Sequence, residues 1–165
     1  MLIFSPPADF ESGIIARLLK EGYAGVKPTL SEKEWKKLVK TFEDFDQEVF
    51  SNIHVARCTF ITVLDGIPIG LGSYDPRKRP AYGLVGHNVV LPSVQGKKFG
   101  KAQLLEILNR MRAMGIRKAR VSTGDHAFSI PAQKNYESAG FRKTRRFIDK
   151  NWSFGQIEYE MILID

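Results

Sequence analysis

Apolar residues recur along this chain at two periods, and the changes of period mark its elements. Phe10, Ile14, Ile15, Leu18 and Leu19 fall at helical spacing, which predicts a first helix ending at Gly22. A short strand over 2–4 precedes it and stops at Ser5-Pro6-Pro7. Ser31 with Glu34 three residues on reads as a capping box, and Trp35, Leu38, Val39, Phe42 and Phe45 continue as the apolar stripe of a second helix. From Cys58 the helical period ends. Strand formers fill 59–64, Asp65-Gly66 is a hairpin signal, and 67–74 is expected to pair back antiparallel. The basic loop Asp75-Pro76-Arg77-Lys78-Arg79-Pro80 leads to a third strand over 82–91 that Pro92 ends. A helix over 99–114 closed by Gly115, a strand over 119–122 and a short helix over 129–138 closed by Gly140 follow, with final strands near 141–148 and 157–164. The order β-α-α-β-β-β-α-β-α-β-β predicts an α/β (α+β) fold: a mixed, mostly antiparallel sheet with helices on both faces.

Composition narrows the classes. A chain of 165 residues, 43% of them apolar, suffices for one core, so 1–165 is expected to be a single domain. An aromatic share of 11% excludes a disordered chain. Cys58 is the single cysteine, which leaves no internal disulfide and no cysteine zinc cage. The first residues lack the basic start and apolar run of a signal peptide, and no later run is long enough to span a bilayer, so a cytoplasmic protein is expected. Lys and Arg outnumber Asp and Glu by 25 to 18, a formal charge of +7. That excess fits simple solubility, a polyanionic small molecule or nucleic acid, and only its location decides among them.

The densest location is Val90-Leu91-Pro92-Ser93-Val94-Gln95-Gly96-Lys97-Lys98-Phe99-Gly100-Lys101. Two glycines between a strand and a helix let main-chain N–H groups face outward at the positive end of the helix, and three lysines add charge that compensates a diphosphate. A glycine turn alone also serves ordinary strand-to-helix junctions. Neither a Gly-x-x-x-x-Gly-Lys-Ser/Thr loop nor Gly-x-Gly-x-x-Gly is present, which removes kinase-like and dinucleotide readings.

From about Cys58 to Phe141, and more weakly beyond, the chain resembles the GNAT superfamily of acetyl-coenzyme A-dependent N-acetyltransferases. Gln95 to Gly100 is similar to the family's Gln/Arg-x-x-Gly-x-Gly/Ala signature, with Lys98 at the middle glycine. Ala132, Tyr136, Gly140 and Phe141 are in register with its Asn-x-x-Ala-x-x-x-Tyr-x-x-x-Gly-Phe block, with Ser129 where asparagine is common. The resemblance implies acetyl transfer from acetyl-CoA to an amine by direct attack, with no metal. It implies a cofactor site of Val90, Leu91, Gln95, Gly96, Lys97, Lys98, Phe99, Gly100, Lys101 and Ser129. It implies that Tyr136 protonates the leaving thiolate, work a phenol can do because it stays protonated at neutral pH, and that a main-chain N–H near Val90 or Leu91 polarises the thioester.

The attacking amine must lose a proton. Candidate bases are His87, ranked first for an imidazole pKa near neutrality, then Asp125, His126 and Tyr82. Trp152 and Phe154 are candidates for the acceptor pocket. The acceptor is expected to be a small-molecule or peptide amine; nucleic acid ranks below it, no membrane is involved, and a homodimer is admitted. A cofactor-binding sensor without catalysis is the rival reading, favoured by the departures at Lys98 and Ser129.

Overall fold

The computed structural model describes residues 1–164; Asp165 lies outside them. Seven strands form a mixed, mostly antiparallel sheet in the order β1-β2-β3-β4-β5-β7-β6. They are β1 (Leu2–Ser5), β2 (Thr59–Leu64), β3 (Ile67–Asp75), β4 (Gly83–Val90), β5 (Lys118–Gly124), β6 (Arg142–Ile148) and β7 (Gly155–Ile162), with helices α1 (Ile14–Gly22), α2 (Glu32–Ser51), α3 (Ile53–Ala56), α4 (Phe99–Ala113) and α5 (Ile130–Ala139). The expected order of elements holds, with α3 and several short 3-10 turns added. Residues divide into two compact units, Met1–Ser73 with His87–Gln103 and Tyr74–Gly86 with Leu104–Asp165.

In the first unit, β1 and β3 flank β2 antiparallel, and Leu64 pairs with Ile67 across Asp65-Gly66. Both turn residues have positive φ, 49° and 83°, which is what a two-residue hairpin of matching twist requires. Helix α2 opens as the sequence indicates: Ser31 Oγ accepts the Glu34 N–H at 3.1 Å and the Glu34 carboxylate accepts the Ser31 N–H at 2.9 Å. Helix α1 has no side-chain cap of its own. Buried Asp46 of α2 supplies one from afar, accepting the N–H groups of Gly13 and Ile15 at 2.9 Å and Ala16 at 3.1 Å. This is why α1 starts at Ile14 instead of Phe10: its first turn is fixed by a carboxylate some thirty residues downstream. The apolar faces of α1 and α2 close over β2 to β4 through Ile15, Leu18, Leu19, Phe42, Val49, Ile61, Val63, Leu71 and Val89.

In the second unit, β4 and β5 run parallel where Gly83 faces Ala119 and Leu84 faces Arg120, and β5, β7 and β6 continue antiparallel. Leu104, Ile107, Leu108 and Met111 of α4 are fully buried, as is Tyr159 of β7. Among the described residues no helix is long and apolar enough to cross a membrane.

Candidate functional site

After β4 the chain makes one 3-10 turn, Pro92–Val94, and enters α4 through 95–98. Gly96 has φ 79° and Lys98 has φ 66°. Lys98 thus holds the left-handed backbone that its glycine counterpart in the signature would adopt without cost, because the turn needs that conformation whichever residue stands there. The outcome is a set of main-chain donors at the head of the helix: the N–H groups of 96 and 98–101 find no acceptor among the described residues. Space beside Gly96 is open. Lys97, Lys98 and Lys101 are exposed around it, while Phe99 and Gly100 are half-buried. Unpaired donors at a helix N-terminus with three cations beside them are what a diphosphate needs.

The turn is braced from below by residues the sequence reading passed over. Asn88 Nδ2 donates to the Gly100 carbonyl at 3.2 Å and Gln103 Nε2 to Asn88 Oδ1 at 2.7 Å, with Leu71 and Val89 carbonyls each 3.2 Å from the same nitrogen. Gln103 is fully buried and its Oε1 has no partner among the described residues. A Cβ on Gly70 would lie 2.6 Å from that oxygen, so glycine is what lets the amide enter. The signal was present: Gln103 is a polar residue on the apolar stripe of α4, in step with Ile107 and Met111.

Two of the expected cofactor residues have other duties. Gln95 turns its side-chain amide back to the Val90 carbonyl at 3.1 Å, stapling the turn instead of reaching outward. The Leu91 N–H donates to the Ile69 carbonyl at 2.8 Å, which removes Leu91 as a main-chain donor to a thioester. Val90 is buried.

Tyr136 is 5% exposed on α5, its ring edge-on to Phe141 at 5.7 Å and tilted against Tyr159 at 6.0 Å. Gly140, φ 106°, ends the helix, and the Phe141 N–H returns to the Tyr136 carbonyl at 3.1 Å. Ser129 is buried just before α5, its Oγ 3.4 Å from His126 Nε2.

His87, ranked first among the bases for an imidazole pKa near neutrality, sits in surroundings that lower that pKa. Its ring is half-buried beside Phe45 (4.9 Å), Tyr23 (6.2 Å) and Phe42 (6.3 Å). This desolvation lowers its pKa to about 4. Such an imidazole is neutral at pH 7. Asp125 accepts the Gly155 N–H at 3.0 Å and pairs with Arg146. His126, its pKa lowered by burial against the pull of Asp125, packs on Phe154 at 4.5 Å. Tyr82 lies under the Arg120 guanidinium, 4.0 Å from its ring centre. The basic clusters are partly neutralised within the chain: Arg77 is held by Asp75, Arg145 by Glu158, and Arg146 by Asp125.

Residues 27–141 match the model of the acetyltransferase (GNAT) family. The chain belongs to that family, whose members are acetyl-transferring enzymes. No curated protein matches it. Among solved structures it is similar over 99% of both chains to a Desulfovibrio desulfuricans protein described as a GNAT-family acetyltransferase, with 18% identity and a TM-score of 0.74. An N-acetyltransferase from Staphylococcus aureus Mu50 matches over 99% of both chains at 14% identity and a TM-score of 0.72. A Salmonella typhimurium protein described as an acetyltransferase, solved with its cofactor acetyl-CoA, matches over 100% of this chain and 94% of its own at 14% identity and a TM-score of 0.64. At these identities the structures speak to the fold.

Proposed function

We propose that the chain is an N-acetyltransferase that moves an acetyl group from acetyl-CoA to a small-molecule or peptide amine. The observation that carries this reading is the head of α4: a left-handed turn at Gly96 and Lys98 where the N–H groups of 96 and 98–101 have no acceptor among the described residues and three exposed lysines stand beside them. The family match covers parts of both compact units, which supports treating 1–165 as one catalytic domain.

In this reading Lys97, Lys98, Lys101 and the neighbouring amides hold the diphosphate, and Asn88 and Gln103 keep those amides in place. The co-substrate supplies an acetyl thioester, already activated toward amines. With the Leu91 N–H committed to β3, Val90 is the main-chain donor we assign to the thioester oxygen, whose negative charge grows during attack. The amine lone pair forms the new C–N bond, the C–S bond breaks, and the thiolate takes the phenolic proton of Tyr136. The proton of the new ammonium passes through water to the Tyr136 phenolate, which restores the phenol and closes the proton balance. Acetylated amine and coenzyme A thiol result.

Titration calorimetry of acetyl-CoA, with free-thiol release measured across an amine panel, tests the reading. Micromolar-range binding that weakens about 100-fold when Lys97, Lys98 and Lys101 are all replaced by alanine is expected, at about 1 kcal/mol for each charge-assisted contact. Equal affinity in the triple variant would remove the turn as the diphosphate site.

A further inference from the structure

On β7, Glu158, Glu160 and Ile162 alternate with the buried Ile157 and Tyr159, so they share the other face of the sheet. Each carboxylate there meets cations from a neighbouring strand. Glu158 pairs with Arg145 of β6 at 3.2 Å, and Glu160 with Arg120 and Lys118 of β5 at 2.7 and 3.3 Å. At the next position the pattern breaks: Ile162 stands opposite Lys118. Arg117, one residue before β5, is exposed and its side chain has no partner among the described residues.

A cavity of about 410 Å³ lies at this break, a size that suits a small molecule. Arg117, Lys118 and Arg120 line it together with Tyr82, Ile162 and Ile164. Main-chain bonds fix its frame. The Arg117 N–H donates to the Pro80 carbonyl at 2.9 Å, and the Arg117 carbonyl accepts the N–H groups of Leu163 and Ile164 at 2.8 and 3.3 Å. The approach to β4, the start of β5 and the chain leaving β7 are thereby tied at one point. Arg120 is held as well, its guanidinium 4.0 Å from the Tyr82 ring centre and its Nε on Glu160, which keeps the planar fork in place.

The lining joins two chemistries. Three cations share one bonded carboxylate, Glu160, while Ile162 and Ile164 leave 61% and 39% of their surface exposed beside them. In chain order the cavity is separate from the glycine turn: Tyr82 precedes β4, the turn follows it, and none of the lining residues belongs to the turn.

We propose that this cavity is a second binding site, which takes a small organic anion: one carboxylate or phosphate headgroup on an apolar, ring-sized body. The headgroup meets Arg117 and the terminal nitrogens of Arg120, and supplies the anion that the pairing pattern lacks. The body lies on Ile162 and Ile164 and takes their surface out of water. An ammonium would be repelled, and inorganic phosphate would leave the isoleucines wet. The inference stands apart from the acetyl-transfer reading, because no residue of that reading lines the cavity.

Calorimetry of the full chain with phenyl phosphate, phenylacetate, inorganic phosphate and benzylamine tests the site. Each titration is run on the wild type and on the variant with Lys97, Lys98 and Lys101 replaced by alanine, which removes the other cationic turn as a competitor. Phenyl phosphate or phenylacetate should bind at least about tenfold more tightly than inorganic phosphate, equally in both proteins, and benzylamine should not bind. The tighter of the two anions names the headgroup. Arg117→Ala and Ile162→Ser each change an exposed side chain and should each weaken that binding about tenfold. Three results would overturn the proposal: inorganic phosphate binding as tightly as either aryl anion, affinity unmoved in both single variants, or binding lost in the triple-lysine variant, which would put the anion at the head of α4.

Discussion

The head of α4 and the junction of α5 with β6 both carry family signature residues, yet they are built in opposite ways. At the head of α4 the signature is spent on openness: donors without acceptors, exposed lysines, and a backbone held in the left-handed region twice within three residues. At the α5–β6 junction it is spent on closure, with Tyr136 and Phe141 buried against each other and Gly140 returning the chain into β6. A shared motif therefore does not mean a shared physical task. In the first region the backbone is arranged for something outside the protein. In the second, one phenol is held rigid by residues that mostly pack.

Replacing Tyr136 with phenylalanine divides chemistry from packing and carries the largest expected effect. Turnover should fall by about 100-fold or more, the range of a lost general acid. Stability should change by about 1 kcal/mol or less, because both ring contacts survive, and calorimetry should find acetyl-CoA affinity unaltered. Undiminished thiol release would place Tyr136 with its packing neighbours and assign the acid elsewhere; no release even from the wild-type protein would favour the sensor reading. Gly140→Ala addresses the packing half. A Cβ there would be 3.5 Å from Met161 Cε, an ordinary contact, so the cost comes from φ 106°, where side chains are strained. A loss of about 1–3 kcal/mol by urea unfolding is expected, with cofactor affinity untouched. A variant as stable as the parent would show that the junction tolerates a different helix ending.

The same contrast explains what could be read in advance. Features set by neighbours in sequence were legible: the Ser31–Glu34 box, the Asp65-Gly66 hairpin, the glycine turn before α4, and the element order. Features set by distant partners were not. The start of α1 depends on Asp46, the pKa of His87 on rings contributed by Tyr23, Phe42 and Phe45, and the loss of the Leu91 donor on Ile69 across the sheet. Strand β7 begins at Gly155, two residues before its apolar run, where the Gly155 N–H meets Asp125. Gln103 shows a middle case. Its oddness was visible as a polar residue on an apolar stripe, but its role needed the carbonyls of Leu71 and Val89 and the amide of Asn88 beside it.

The smallest expected effect is also the sharpest probe of the open region. Lys98 carries a Cβ at φ 66°, a conformation that costs a side-chain-bearing residue about 1–2 kcal/mol. Glycine removes that cost but gives the unfolded chain more freedom, about 0.4–1 kcal/mol in the other direction. Lys98→Gly should therefore stabilise the fold, by up to about 1.5 kcal/mol, seen as a small rise in Tm. Affinity tells more, because the substitution leaves the outward amides in place and deletes one of three cations. If charge and amides share the diphosphate, acetyl-CoA should bind severalfold more weakly at low salt, and the difference from wild type should shrink as salt screens the lysines. Tighter binding at every salt concentration would mean that the amides dominate and that the lysine side chain obstructs them. A fall in Tm would mean that Lys98 is anchored by its side chain and that the turn holds no strain for glycine to release.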